Sequence, residues 1–186
     1  QPYSSPAPPS IAHLALGAMF FLVFSSMWSG RHHLKAVWRK AWHGDDSVDD
    51  SGELLSYRVA VFGLLGGLVL GTTWLYIGNM GLLTAVVFQL SALIIFVGLA
   101  RIISQAGLAY CRAPVAPAVF TVNTLGSSVV GHSGLTALAL NFPWSADIRT
   151  FVMASAATGL KLAEVTRLEH RRLFWAIATA IGATFT

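Results

Sequence analysis

The residues best equipped for chemistry lie between Pro114 and Pro143. There Thr121, Asn123, Thr124, Ser127, Ser128, His132 and Ser133 place hydroxyls, an amide and an imidazole beside Gly126, Gly131 and Gly134. Proline removes an amide donor and glycine loosens the backbone, so the stretch predicts broken helices whose free peptide groups stand next to those side chains. Half-helices of this kind hold substrates and ions in transporters, which makes Asn123, Thr124, Ser127 and His132 candidate substrate-binding residues. An imidazole at membrane depth can also relay a proton or ligate a metal or pigment. On that ground His132 and His13 are candidate cofactor residues, with the cofactor itself unassigned. The competing reading is an interfacial loop whose polar groups satisfy one another.

Other chemistries lack their residues. Cys111 is the single cysteine, which excludes an intrachain disulfide and a multi-cysteine metal site. His32, His33 and His43 do not have zinc-ligand spacing. The acidic stretch Asp45, Asp46, Asp49, Asp50 and Glu53 lacks the register and turn glycine of a calcium loop, so no metal site is expected. Phosphate loops, nucleophile elbows, zinc-protease helices and dinucleotide fingerprints are missing, and the chain is not expected to be an enzyme.

The elements that must position these residues follow from composition. Of 186 residues 55% are hydrophobic and 11% charged, where a soluble domain carries about 25% charged residues. No Asp, Glu, Lys or Arg occurs in residues 11–30, 59–100 or 173–186. About 20 apolar residues cross a hydrocarbon core. The expectation is therefore an all-α, polytopic transmembrane protein with three to four spans, at about 11–29, 59–77, 82–100 and, incompletely, 173–186. The Pro/Ser-rich residues 1–10 form an exoplasmic linker before a transmembrane domain of residues 11–186, and residues 114–143 form a re-entrant or broken segment. The first apolar run has neither the basic flank nor the cleavage pattern of a signal peptide, so it is a retained span.

Charge sets the orientation. Arg31, Lys35, Arg39 and Lys40 follow the first span, and Arg101 follows the third. The positive-inside bias assigns both to the cytoplasm, with residues 31–58 and 161–172 on that side. The formal charge of +4 thus reads as a topology signal, and no nucleic-acid partner is expected. Leu34, Val37, Trp38 and Ala41 recur at helical spacing beside these cations, the pattern of an interfacial amphipathic helix. A second such helix is expected at 147–169, capped by Ser145 or Asp147. In the second span Gly63, Gly67 and Gly71 stand four apart, a helix-packing face. Gln89 and Ser91 are placed to make interhelical hydrogen bonds in the third.

Tyr57-Arg58 with the glycine-rich span, the run from Ala100 to Leu108, Gly159-Leu160-Lys161-Leu162-Ala163-Glu164 and the run from His170 to Ile177 give a family resemblance. Over about two thirds of its length the chain resembles the carboxy-terminal part of large bacterial polytopic membrane proteins of unknown function, themselves distantly similar to oligopeptide-type transporters. The resemblance implies a many-spanning bundle in the bacterial cytoplasmic membrane and no established catalytic residue. It also draws attention to Gln105, which stands where an acidic residue is expected, and adds it to the candidate substrate-binding residues. The chain starts at Gln1 without Met and stops 14 residues into an apolar run, as expected of part of a longer protein. Two functions fit: a non-catalytic membrane subunit packed within a larger complex, or the carboxy-terminal part of a secondary transporter for a small solute or peptide. The partners expected are the lipid bilayer and other membrane subunits, or the missing part of the chain itself.

Overall fold

The computed structural model describes residues 9–44, 53, 55–108, 111–146, 152–166 and 170–183. Residues 1–8 of the linker and the acidic residues Asp45, Asp46, Asp49 and Asp50 lie outside them. Among the described residues the fold is all-α, without a strand: α1 (Pro9–Ser29), α2 (Arg31–His43), α3 (Tyr57–Ile77), α4 (Leu82–Ala106), α5 (Pro117–Leu125), α6 (Ser127–Ala146), α7 (Val152–Thr166) and α8 (His170–Ala183). Three of these are long and apolar enough to cross a membrane: Ile11–Ser29 in α1, Tyr57–Ile77 and Leu82–Ala106. At roughly 1.5 Å per residue, α3 reaches about 31 Å and α4 about 37 Å, against a hydrocarbon core of about 30 Å.

Helix α4 is the centre of the bundle and touches α1, α3, α5, α6 and α7. Its buried Ala85, Phe88, Ala92, Ile95, Leu99 and Ile103 recur at steps of three and four, which lines them along one side of the helix. Near its start, Ala85 and Phe88 join Leu75, Met80, Ala118, Val130, Ala137 and Leu138 in one core cluster. Further along, Ile95 and Leu99 join Ala12, Leu16, Met19 and Val115 in a second. Lipid tails are as apolar as these side chains, so close packing rather than exclusion from water must hold the helices together in a bilayer. The outward side chains match that environment, with Leu14 and Phe21 on α1 each 74% exposed and Trp74 on α3 76%.

The α3–α4 turn shows how local sequence closes this hairpin. Asn79 adopts a left-handed conformation at φ 62°. Its N–H donates to the Tyr76 carbonyl at 3.1 Å, and the Met80 N–H donates to Leu75, also at 3.1 Å. These bonds satisfy carbonyls that a helix end leaves unpaired, while Met80 folds back on Leu75 in the first core cluster. Asparagine suits this position because its short polar side chain tolerates left-handed backbone.

Several boundaries differ from the sequence expectation. The third span does not stop at Ala100: α4 continues through Arg101 to Ala106 and ends at Gly107, whose φ of 64° is left-handed. A charge ends an apolar run without ending a helix, whereas a left-handed glycine ends both. Ser145 does not cap α7, because it lies inside α6 and its hydroxyl donates to the Phe142 carbonyl at 3.3 Å. Asp147, the other candidate cap, and residues 148–151 and 167–169 lie outside the described residues. The described part of α7 makes the most extensive helix contact in the bundle, with α4. Ala163 of α7 is almost wholly buried, and Lys161 donates through Nζ to the Ser104 carbonyl of α4. Helix α8 begins at His170, three residues before the expected start of the fourth span, and residues 184–186 lie outside the described set.

Candidate functional site

The segment between α4 and α7 leaves one end of α4 and comes back to it. Val115 packs beside Ile95 and Leu99. Pro117 then opens α5 in its first turn, where a missing N–H costs nothing. Val122 and Leu125 carry α5 to the core cluster around Met80 and Ala85, near the α3–α4 turn. The chain reverses there between two glycines of positive φ, Gly126 at 82° and Gly131 at 68°. Gly131 interrupts α6 with a non-helical conformation, φ 68° and ψ 172°. Beyond it α6 returns along α4 until Trp144 meets Phe88 and Phe96 edge-on at 5.7 and 6.4 Å. Lys161 of α7 finally reaches Ser104, near the far end of α4.

A broken segment is therefore present, but the glycines break it. Pro143 sits inside α6 without interrupting it. Near the C-terminal end of a helix, proline forfeits one backbone bond and the remaining turns persist.

The candidate binding residues are only partly gathered. Asn123, Thr124, Ser127 and His132 lie on or next to the α5–α6 reversal, and all four are exposed. Asn123 lines a groove of about 240 Å³ with Val122, Leu135, Leu138, Ala139 and Phe142. Thr124 turns its hydroxyl back to the Phe120 carbonyl at 2.9 Å, and the His132 carbonyl accepts from Thr136 at 3.0 Å. Gln105 is exposed in the last turn of α4, about 30 Å along the helix from the Ala85 level that α5 reaches. The arrangement of α4 and α5 thus sets Gln105 and Asn123 at different levels of the bundle. His13 is exposed on α1, one residue from buried Ala12.

The packing residues also separate. Gly71 meets Gln89: a Cβ built on it would lie 2.7 Å from the Gln89 amide nitrogen. Gln89 accepts a hydrogen bond from Thr72 at 2.9 Å, the interhelical bond expected of it. Ser91 instead donates to Phe88 of its own helix at 2.8 Å. Thr72, Thr73 and Gln89 line a groove of about 320 Å³ between α3 and α4, otherwise walled by Leu68, Val69, Val86 and Leu90. Gly63, Gly66 and Gly67 have open space where a Cβ would stand. They point outward with Leu70 and Trp74, which are 73% and 76% exposed.

Among the described glycines, one that the periodic pattern does not mark leaves a neighbouring helix the least room. A Cβ at Gly98 would lie 2.6 Å from Met19 Cγ and 3.3 Å from Val23 Cγ2, so the missing side chain is what lets α1 reach α4. An isolated glycine in an apolar helix carries no spacing signal.

The basic residues collect at one end. His33 of α2 stands edge-on to Tyr57 at the start of α3, 5.9 Å between ring centres, and Arg58 lies against Gly44 at the end of α2. Because α3 and α4 form a hairpin turning at Asn79, this end also carries Arg101, with Lys161 bound at Ser104.

Residues 3–186 match the model of a family described as a Family of unknown function (DUF6785). The chain belongs to that family. No curated protein and no solved structure matches the chain. Membership of DUF6785 agrees with the expected family of unknown function and brings no substrate, partner or catalytic residue with it. The bacterial origin and the oligopeptide-transporter likeness inferred from the sequence have no support in these comparisons.

Proposed function

We propose that this chain is a non-catalytic packing unit of a larger membrane protein assembly, and that the outer face of α3 receives another transmembrane helix. The observation that carries this reading is the state of α3. It is long and apolar enough to cross a membrane, yet almost none of it is buried within the chain. Its Gly63, Gly66 and Gly67 stand open toward the outside. Small residues four apart allow two backbones to come close, which strengthens dispersion contacts where no hydrophobic drive exists. The incoming helix belongs to another subunit or to a further part of the same polypeptide.

The basic end supports a cytoplasmic-membrane topology with residues 31–58 and 161–172 inside, since Arg31, Lys35, Arg58, Arg101 and Lys161 share one end of the α3–α4 hairpin. A Gly67→Leu substitution tests the packing role. Loss of the assembly on native gels in mild detergent, with the helical content of the chain retained, is the expected outcome. An unchanged assembly sinks the proposal.

A second reading, part of a secondary transporter, draws on the α5–α6 reversal. Irregular backbone at membrane depth persists only where protein or an aqueous cavity covers it, and Gly126 and Gly131 both break helical geometry beside Asn123 and His132. Solute uptake into proteoliposomes that survives the double substitution Asn123→Ala with His132→Ala counts against it.

A further inference from the structure

Helix α2 presents two parallel rows of side chains. Leu34, Trp38 and Trp42, four apart, are 43%, 52% and 58% exposed. Arg31, Lys35 and Arg39, also four apart, form an exposed cationic row one step around the helix. The bundle covers the flank beside the apolar row: Ala41, seven residues from Leu34, is almost wholly buried, and Trp42 at the end of the row stacks on Phe62 of α3 with ring centres 5.9 Å apart. Trp38 in turn stacks on Trp42 at 5.9 Å and an interplanar angle of 10°. The tryptophan row is thus fixed in direction by α3 and is not free to fold onto the chain. Its anchor is also fixed from α1, where the Arg31 guanidinium lies 5.0 Å over the Trp28 ring and donates to the Trp28 carbonyl at 3.4 Å.

We propose that α2 is a docking surface for the anionic phospholipid headgroups of the leaflet at the basic end, with phosphates held along the Arg31, Lys35 and Arg39 row and the tryptophans seated at the level of the ester groups. Tryptophan prefers that depth because its ring is apolar and its N–H is polar. A cation near the surface of an anionic leaflet contributes about 1 kcal/mol, close to a fivefold change in lipid retention per residue. The position of α2 decides the occupant. It joins directly to a helix of spanning length and rests on the first turns of another, so its exposed face meets the leaflet edge before it meets bulk water.

The test uses the full chain in mild detergent, loaded with equal amounts of phosphatidylglycerol and phosphatidylcholine and read by native mass spectrometry. Preferential retention of phosphatidylglycerol is expected, and Lys35→Gln with Arg39→Gln lowers that preference about 25-fold. Lys40→Gln removes the same charge from the same helix but lies off the row at a half-buried position, and is expected to leave the preference within about twofold. Far-ultraviolet circular dichroism confirms that each variant keeps its helices. Equal retention of the two lipids, a loss with Lys40→Gln as large as with Lys35→Gln and Arg39→Gln, or displacement of the bound lipid by inorganic phosphate would each overturn the proposal.

Discussion

Gly98 offers a quantitative test of how this bundle is held. The Gly98→Ala substitution places a methyl carbon 2.6 Å from Met19 Cγ, 3.0 Å from Met19 Sδ and 3.3 Å from Val23 Cγ2. Carbon atoms in ordinary contact stand about 3.5–4.0 Å apart, so α1 must withdraw by about 1 Å or Met19 must leave its rotamer. Overpacking of this size costs about 1–3 kcal/mol, and the better helix propensity of alanine returns up to about 1 kcal/mol. The net expectation is a destabilisation of about 1–2 kcal/mol. Removing the obstacle reverses the sign of the argument: in a Met19→Ala background the new methyl fills space that the truncation opened. The two substitutions are therefore expected to couple favourably by about 1 kcal/mol or more, well above the few tenths that independent sites show. Reversible unfolding in mixed micelles, followed by circular dichroism for the wild type, both single variants and the double variant, measures that coupling. A double variant whose loss equals the sum of the single losses, within about 0.5 kcal/mol, would refute close α1–α4 packing at Gly98.

Further expectations follow from the turn, the interhelical bond and the kink. Asn79→Val forces a β-branched residue into left-handed backbone and should cost about 1–2 kcal/mol, whereas Asn79→Gly should be nearly neutral; the same unfolding assay separates them. Gln89→Leu removes the Thr72 partner and should cost about 0.6 kcal/mol, at most about 1.7, with Thr72→Val adding little in that background. Gly131→Ala opposes a φ of 68° and should lower stability by about 1 kcal/mol or more. A distance between spin labels placed on α5 and on α6 beyond the kink should shift with it, while labels on α3 and α4 stay unchanged.

The spans were legible because their signal is a length: about 20 residues without charge need no tertiary information. The ends were less so. The apolar run ends at Ala100 but the helix continues through Arg101 to Ala106, since the sequence marks where polarity begins and the backbone decides where the helix stops. The amphipathic α2 was visible as a period of apolar residues beside cations, and it forms as a helix over Arg31–His43. The contact of α7 with α4 was not visible. Charges near the end of an apolar periodic run read equally well as an interface or as the polar end of a packed helix, and the long-range pairing of Lys161 with Ser104 and the burial of Ala163 distinguish them. The broken segment was legible as a cluster of proline and glycine, though which residue breaks it was not, because Pro143 is accommodated and Gly131 is not helical. Of the candidate site, Asn123 and His132 share one reversal and Gln105 lies near the other end of α4, a separation that chain position alone conceals.

The central claim is that α3 is covered by another membrane helix, and crosslinking from Gly67 tests it most directly. A photoreactive residue at position 67 of the protein in its own membrane, activated by light, forms a covalent adduct with whatever lies against that face. A peptide adduct from an apolar helix, abolished by Gly63→Leu on the same face and unaffected by Val69→Leu on the opposite side of α3, is the result this account expects. Adducts consisting only of lipid, unchanged by Gly63→Leu, would contradict it.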